Sequence, residues 1–290
     1  MKPGSIFHAT LWMTGAIVSF CSMAVAGREV SFALDTFEIM MYRSFVGVVI
    51  VFAGLSLTRS WAHVTKRSLG LHGVRNVAHF VGQNLWFYAV TVIPLAQVFA
   101  LEFTSPLWVL VLSPLLLGER LTRYGVLAAL VGFVGILIVA RPSPATLNLG
   151  LVTAAGSAIF FALSIMFTKR LTRDHSIGCI LFYLTVMQSV FGVVCAGIDG
   201  DIALPTLETA PWLLLIGCAG LMAHFCLTNA LSLVPATVVA PLDFVRLPAI
   251  AAVGLALYGE PVDIWVIIGA TLIFAGNYIN LSTQNVTSHK

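Results

Sequence analysis

The sequence predicts an all-α polytopic membrane protein, with ten transmembrane helices forming two five-helix inverted repeats and both termini in the cytoplasm. Three observations lead there. First, the 290 residues are 59% hydrophobic and 9% charged, with a mean hydropathy of +0.99, whereas soluble domains carry about 25% charged residues. A soluble fold of this size has too little interior for that much apolar surface, so its solvent is lipid. Second, ten apolar windows have the length a bilayer core requires, roughly 20 residues each. Third, two stretches of the chain match each other at one constant offset.

The windows run over 7–26, 35–57, 70–92, 95–117, 122–140, 149–169, 176–197, 209–233, 236–258 and 263–282. The first carries Lys2 and ends in Ala24-Val25-Ala26 before Gly27, the form of a cleavable signal. It also holds His8 and Trp12, and losing it would unbalance the repeat, so it is read as a retained span. Trp61, Trp212 and Trp265 fall near span ends and suit interface anchors. Gly150, Ala154, Ala158 and Ala162 recur every four residues in the sixth span, a stripe that lets helix backbones approach closely. Orientation follows from the basic residues. With the N-terminus inside, eleven Lys and Arg fall in cytoplasmic segments, Arg28 and Arg141 fall outside, and Arg43 and Arg246 lie within spans.

The repeat has an offset of 141. Ala89, Pro94, Val98, Leu101 and Phe103 align with Ala230, Pro235, Val239, Leu242 and Phe244, and Gly118-Glu119 with Gly259-Glu260. Glu102 meets Asp243 and Tyr42 meets Tyr183 at the same spacing. The copies are expected to occupy residues 1–145 and 146–290. An odd number of spans per copy turns the second copy upside down relative to the first. Related structures in opposite orientation supply equivalent inward-open and outward-open states, the recurrent plan of secondary transporters with a site near the midplane.

An ionisable group in a span costs about 2.5–3.5 kcal/mol on insertion scales, so it faces the interior or a watery cavity. These groups concentrate on spans three, four, eight and nine. Arg75, His79, Gln83 and Trp86 share one face of span three, and Gly217, Gly220, His224 and Thr228 trace a stripe on span eight. Asp243 and Arg246, three residues apart, admit two readings: a clamp for a zwitterion, or a mutual ion pair that holds the helix. Glu102 and Arg43 are read as a further, structural pair across spans. The substrate-binding set expected from the sequence is His79, Gln83, Trp86, Glu102, Phe103, Trp108, His224, Asp243, Phe244 and Arg246, the aromatics serving as apolar walls. Pro94, Pro106, Pro235 and Pro248 are expected as hinges or as the source of free carbonyls lining the cavity. Two acids and two bases nearly cancel within the spans, which disfavours a strongly anionic substrate.

The five cysteines lie in apolar runs without CxxC spacing and read as packing residues, so no metal site or disulfide framework is expected, and no cofactor. No HExxH, GxSxG or paired intramembrane aspartate points to an intramembrane enzyme, and no ring of repeated charge points to a channel. The formal charge of +3 gives no reason to expect a nucleic-acid partner. Partners are expected to be the bilayer and a small-molecule substrate, with a monomer as the default and a homodimer as the alternative.

Pro106-Leu107-Trp108 running to Leu117-Gly118-Glu119-Arg120-Leu121 resembles the Pro…Gly-Glu signature closing the fourth helix of EamA-type exporters of the drug/metabolite transporter superfamily. Pro248 to Tyr258-Gly259-Glu260-Pro261 resembles its second copy, with Pro248 one residue beyond the offset position of Pro106. The resemblance spans the whole chain. It implies a multi-pass protein of the bacterial inner membrane that exports small neutral or zwitterionic metabolites by alternating access. Within the family the likeness is greatest to exporters of amino acids, including aromatic ones. The alternatives are a nucleoside-like or S-adenosylmethionine-like substrate, another drug or metabolite, or a facilitator without ion coupling.

Overall fold

The computed structural model describes residues 5–118, 123–141, 148–198 and 200–260, with parts of 264–278. Its helices are α1 (Ser5–Val30), α2 (Thr36–Leu57), α3 (Leu69–Val92), α4 (Leu95–Glu102), α5 (Ser105–Leu116), α6 (Arg123–Ala140), α7 (Leu149–Leu171), α8 (Ile177–Ala196), α9 (Ala210–Leu233), α10 (Ala236–Leu242) and α11 (Arg246–Tyr258). Helical residues recur between 264 and 278. No strand occurs among the described residues.

Helix ends follow local chemistry. Asp35 caps α2 in a reciprocal capping box with Glu38, and Ser176 caps α8 by accepting from the Cys179 amide. Gly118 and Gly259 stop α5 and α11 at φ +68° and +63°, a left-handed turn that a residue without a Cβ enters at little cost. Each of these pairs is separated by 141.

The same spacing recurs in tertiary contacts. The Arg28 guanidinium donates to the carbonyls of Val90 (3.2 Å) and Ile93 (2.9 Å) at the end of α3. Lys169 donates to those of Leu231 (2.6 Å) and Val234 (2.9 Å) at the end of α9. The Tyr42 hydroxyl reaches Ala203 O in the α8–α9 loop, and the Tyr183 hydroxyl reaches Thr65 O in the α2–α3 loop. The two tyrosines reach across between the earlier and later parts of the chain, where α1 packs on α9, α2 on α8 and α3 on α7.

Helix directions follow from these contacts. Ala9, Met13 and Ala16, early in α1, cluster with Cys226, Ala230 and Leu231, late in α9. Met23, Ala24 and Ala26, late in α1, cluster with Leu213, Ile216 and Ala219, early in α9. Helices α1 and α9 thus run antiparallel, while Arg28 joins the C-terminal ends of α1 and α3.

Among the described residues, five helices are long and apolar enough to cross a membrane by length and composition: α1, α2, α7, α8 and α9. The other windows differ from expectation for identifiable reasons. Helix α3 carries His72, Arg75, Asn76, His79 and Gln83, all buried. The expected fourth and ninth spans are each broken in the middle, at Phe103–Thr104 and at the 3-10 turn Asp243–Val245. Much of the tenth, with Asn277 and Asn280, lies outside the described residues.

Close approach sets where small residues must stand. The stripe Gly150, Ala154, Ala158 and Ala162 is buried on α7, and a Cβ on Gly150 would sit 2.7 Å from Val92 of α3. A Cβ on Gly192 of α8 would lie 2.7 Å from the Met41 Cα of α2, where backbone meets backbone. Gly192→Ala should therefore lower stability by about 1–3 kcal/mol, the usual scale of overpacking. Gly54→Ala, on an open face of α2, should leave it unchanged or raise it. Thermal unfolding of the two variants in detergent checks the contrast.

Candidate functional site

Helices α1, α3, α7 and α9 enclose a cavity with the two broken helices. Its internal volume is about 60 Å³, well below the roughly 300–1,000 Å³ of sites that bury a small molecule. His79, Gln83, Trp86, Glu102, Phe103, His224, Asp243 and Arg246 all line it. Eight of the ten residues expected from the sequence thus converge on one space. Helices broken at depth are tolerated where they line a cavity, and here both breaks do so.

Charge in this space is organised around Arg246, the first residue of α11. Its Nη2 lies 2.5 Å from Glu102 Oε1 and 2.5 Å from Asp243 Oδ2. Trp86 Nε1 donates to Glu102 Oε2 at 2.6 Å. The rings of Phe20, Phe99 and Phe103 lie 4.7, 4.9 and 5.2 Å from the guanidinium carbon, so aromatic faces cover the cation. The Asp243–Arg246 ion pair therefore exists, with Glu102 as a second acid. The expected Glu102–Arg43 pair does not form. The break after Glu102 ends α4 beside α11, which brings its carboxylate to Arg246 instead.

Arg43 turns the other way and donates to Gln83 Oε1 and, at 3.6 Å, to Met40 Sδ. Gly220 makes room for it, since a Cβ there would lie 2.7 Å from Arg43 Nη2. Arg75 donates to Thr168 Oγ1 (3.0 Å) and Asn76 Oδ1 (2.9 Å). Among the described residues neither guanidinium has a carboxylate partner. One wall thus carries two acids on one arginine, and the region behind Gln83 carries two arginines without acids.

His79 and His224 meet edge to face with ring centroids 4.5 Å apart. His79 Nε2, both ring nitrogens of His224, Asp243 Oδ1 and Arg246 Nε are buried without a hydrogen-bond partner in the structure. Buried polar atoms are nearly always paired, so five such atoms around one cavity mark where a polar guest or water is held. Asn84 and Asn229 instead bond carbonyls of their own helices, Phe80 O and Phe225 O.

Trp108 is not in this cavity. It lines a separate apolar one with Leu130 and Phe133 of α6. The cause is the restart of the helix at Ser105: Ser105 and Val109 are buried, while Trp108, Val111 and Leu115 form the exposed face. Pro94, Pro235 and Pro248 do not line the site either. Pro94 caps α4, and Pro235 accepts the first amides of α10, so both open short helices after tight turns. The side chains of Pro106 and Phe244 lie outside the described residues. The carbonyl of Glu102 is taken up by Ser105 Oγ at 2.5 Å. Met13, Phe20 and Met23 of α1, with Phe161 and Ser164 of α7, also line the cavity. Sequence reasoning missed them because such residues are indistinguishable from ordinary span filling until a partner helix is known.

These features define a multi-pass, all-helical membrane protein built around an internal polar cavity. The EamA-like transporter family pattern matches residues 8–141 and again 148–282. The chain belongs to the EamA-like transporter family, within the drug/metabolite transporter superfamily, and is a transporter of small metabolites rather than an enzyme. A riboflavin transporter of Vibrio cholerae is 28% identical over 274 residues, 92% of this chain and 90% of that protein. An S-adenosylmethionine uptake transporter of Rickettsia bellii is 25% identical over 280 residues, 96% and 95% of the two chains. A pseudopaline exporter of Pseudomonas aeruginosa is 29% identical over 265 residues, 89% and 90%. Their names span several substrates, and none of the three is an exporter of aromatic amino acids. A solved crystal structure 18% identical superposes with a TM-score of 0.73 over 93% of this chain and 95% of that one, which speaks for the fold alone.

The triad makes a prediction about stability. Arg246→Met strands two buried carboxylates and should cost about 3–5 kcal/mol. Asp243→Asn keeps the Glu102–Arg246 pair and should cost much less. Thermal unfolding in detergent separates the two.

Proposed function

We propose that this chain exports a zwitterionic metabolite from a bacterial cytoplasm by alternating access, the substrate being an amino acid or an amino-acid derivative with a flat heteroaromatic group. The observation that carries the reading is the set of unpartnered polar atoms around an aromatic-walled cavity, with charge of opposite sign on its two sides. Arg246 is matched by two carboxylates, so that wall carries one negative charge in excess, and Asp243 Oδ1 remains open to a substrate ammonium. A substrate carboxylate is drawn to the opposite side, where Gln83 relays Arg43 and the two histidines offer ring nitrogens. Trp86, Phe20, Phe103 and Phe161 supply the apolar faces for the rest of the molecule. S-adenosylmethionine, named for the Rickettsia relative, has this layout: an amino-acid head and an adenine plate.

The transport cycle proposed rests on two inverted halves, 1–145 and 146–290, with both termini cytoplasmic. The reciprocal contacts at an offset of 141 and the antiparallel run of α1 and α9 support it. In that scheme Arg28 and Lys169 tie equivalent helix ends on opposite faces of the membrane, and Pro94, Pro106, Pro235 and Pro248 are the hinge candidates. Export agrees with the name of the Pseudomonas relative, although the Rickettsia relative is named for uptake.

A second reading has its own support. Because Arg246, Glu102 and Asp243 bond one another, the cavity can present itself as a hydrogen-bonding slot for an uncharged plate, as the riboflavin relatives suggest.

Counterflow in proteoliposomes with labelled phenylalanine, S-adenosylmethionine and riboflavin tests these readings. Saturable flux of phenylalanine or S-adenosylmethionine is expected, with KM raised at least tenfold in Asp243→Asn. Flux of riboflavin alone supports the second reading, and linear, unsaturable flux overturns a carrier. Comparing inside-out with right-side-out vesicles gives the direction.

A further inference from the structure

Outside the cavity, three potential metal ligands meet at the end of the bundle that carries the α2–α3 loop. His72 stands in the first turn of α3, His175 in the α7–α8 connection, and Cys179 in the first turn of α8. Their ligand atoms all lie within 4.8 Å of one another, with Cys179 Sγ 3.9 Å from His175 Nδ1. His72 and Cys179 are fully buried. Neither ring nitrogen of His72 has a hydrogen-bond partner, nor has His175 Nε2. A fully buried imidazole with both nitrogens idle is unusual, since buried polar side chains are normally satisfied. His72 packs against the Tyr183 ring at 4.4 Å between centroids and against His175 at 5.0 Å. Those contacts fix the plane of the imidazole without using its nitrogens.

We infer that His72, His175 and Cys179 form a binding site for a single Zn²⁺ ion, joining α3 to the start of α8. The donor set decides the class of metal. Two imidazoles and a thiolate suit a borderline-soft cation, and no carboxylate contributes, which excludes the oxygen-rich sites of Ca²⁺ and Mg²⁺. Zinc–nitrogen bonds of about 2.0–2.1 Å and zinc–sulfur bonds of about 2.3 Å imply ligand-to-ligand edges of roughly 3.5 Å in a tetrahedron. The three atoms therefore draw in by up to about 1.3 Å, the scale of side-chain rotation, and His175 lies in a connection and not in a helix. On binding, the Cys179 thiol releases its proton to solvent and the imidazoles bind as neutral donors. The fourth position is left for water. The signal in the sequence is the spacing of His175 and Cys179, four residues apart across a helix start. The sequence does not show the full set, because the third ligand lies 103 positions before His175.

The site links one half of the chain to the other, so its occupancy would brace α3 against α8. The test needs no transport assay and is independent of the substrate reading. Tag-free protein in detergent is titrated with Co²⁺ as a spectroscopic substitute. One equivalent should give a thiolate-to-cobalt charge-transfer band in the near ultraviolet, abolished by stoichiometric Zn²⁺. Calorimetry with Zn²⁺ should give one site per chain, and Cys179→Ser should lose the band and weaken Zn²⁺ at least tenfold. Absence of the band in the unmodified protein, or its persistence in a folded Cys179→Ser variant, overturns the site. Should that variant fail to fold, His175→Ala, altered only in the half-buried connection, must show the same loss of affinity for the proposal to stand.

Discussion

Arg246 is a buried guanidinium held by two carboxylates, and the interior of this protein is arranged around it. Glu102 and Asp243 reach it from the ends of two interrupted helices, and three aromatic rings close over it. Asp243 reaches Arg246 from three residues away in the chain, whereas Glu102 reaches it from another helix because α4 ends there. The break after Glu102 and the 3-10 turn at Asp243 bring the groups together and create the open volume between α4–α5 and α10–α11. Ion pair, helix breaks and cavity are one feature.

The rest of the bundle holds those short segments in place. Long helices α1, α2, α7, α8 and α9 pack at glycine and alanine positions close enough to exclude a side chain, as at Gly192 against Met41. Without a hydrophobic drive between helices in lipid, such close packing and specific polar ties supply the cohesion. Arg28 of α1, bonded to the end of α3, and Lys169 of α7, bonded to the end of α9, are two such ties. They bond carbonyls that helix ends otherwise leave unsatisfied.

Legibility from the sequence varied with the kind of signal. Membrane character and the pairing of Asp243 with Arg246 were readable, because composition and three-residue spacing act locally. The convergence of His79, Gln83, Trp86 and His224 was also anticipated, since a polar group in lipid has few places to face. Trp108 was misplaced because a helix restart changes the face each later residue presents, and Pro106 gave no indication of that rotation. The partner of Glu102 was misassigned for a related reason. Charge alone allows either arginine, and only the position of the α4 end selects Arg246.

The sequence by itself determined that this chain lives in lipid, that its pattern repeats after 141 residues, and which polar residues must avoid the bilayer. Those properties follow from transfer free energy and from residue spacing along single helices. The tertiary structure alone decided which charges neutralise one another, which aromatics wall the cavity, and that His72 meets His175 and Cys179. These depend on contacts between helices far apart in the chain, set by how closely small residues let the backbones approach.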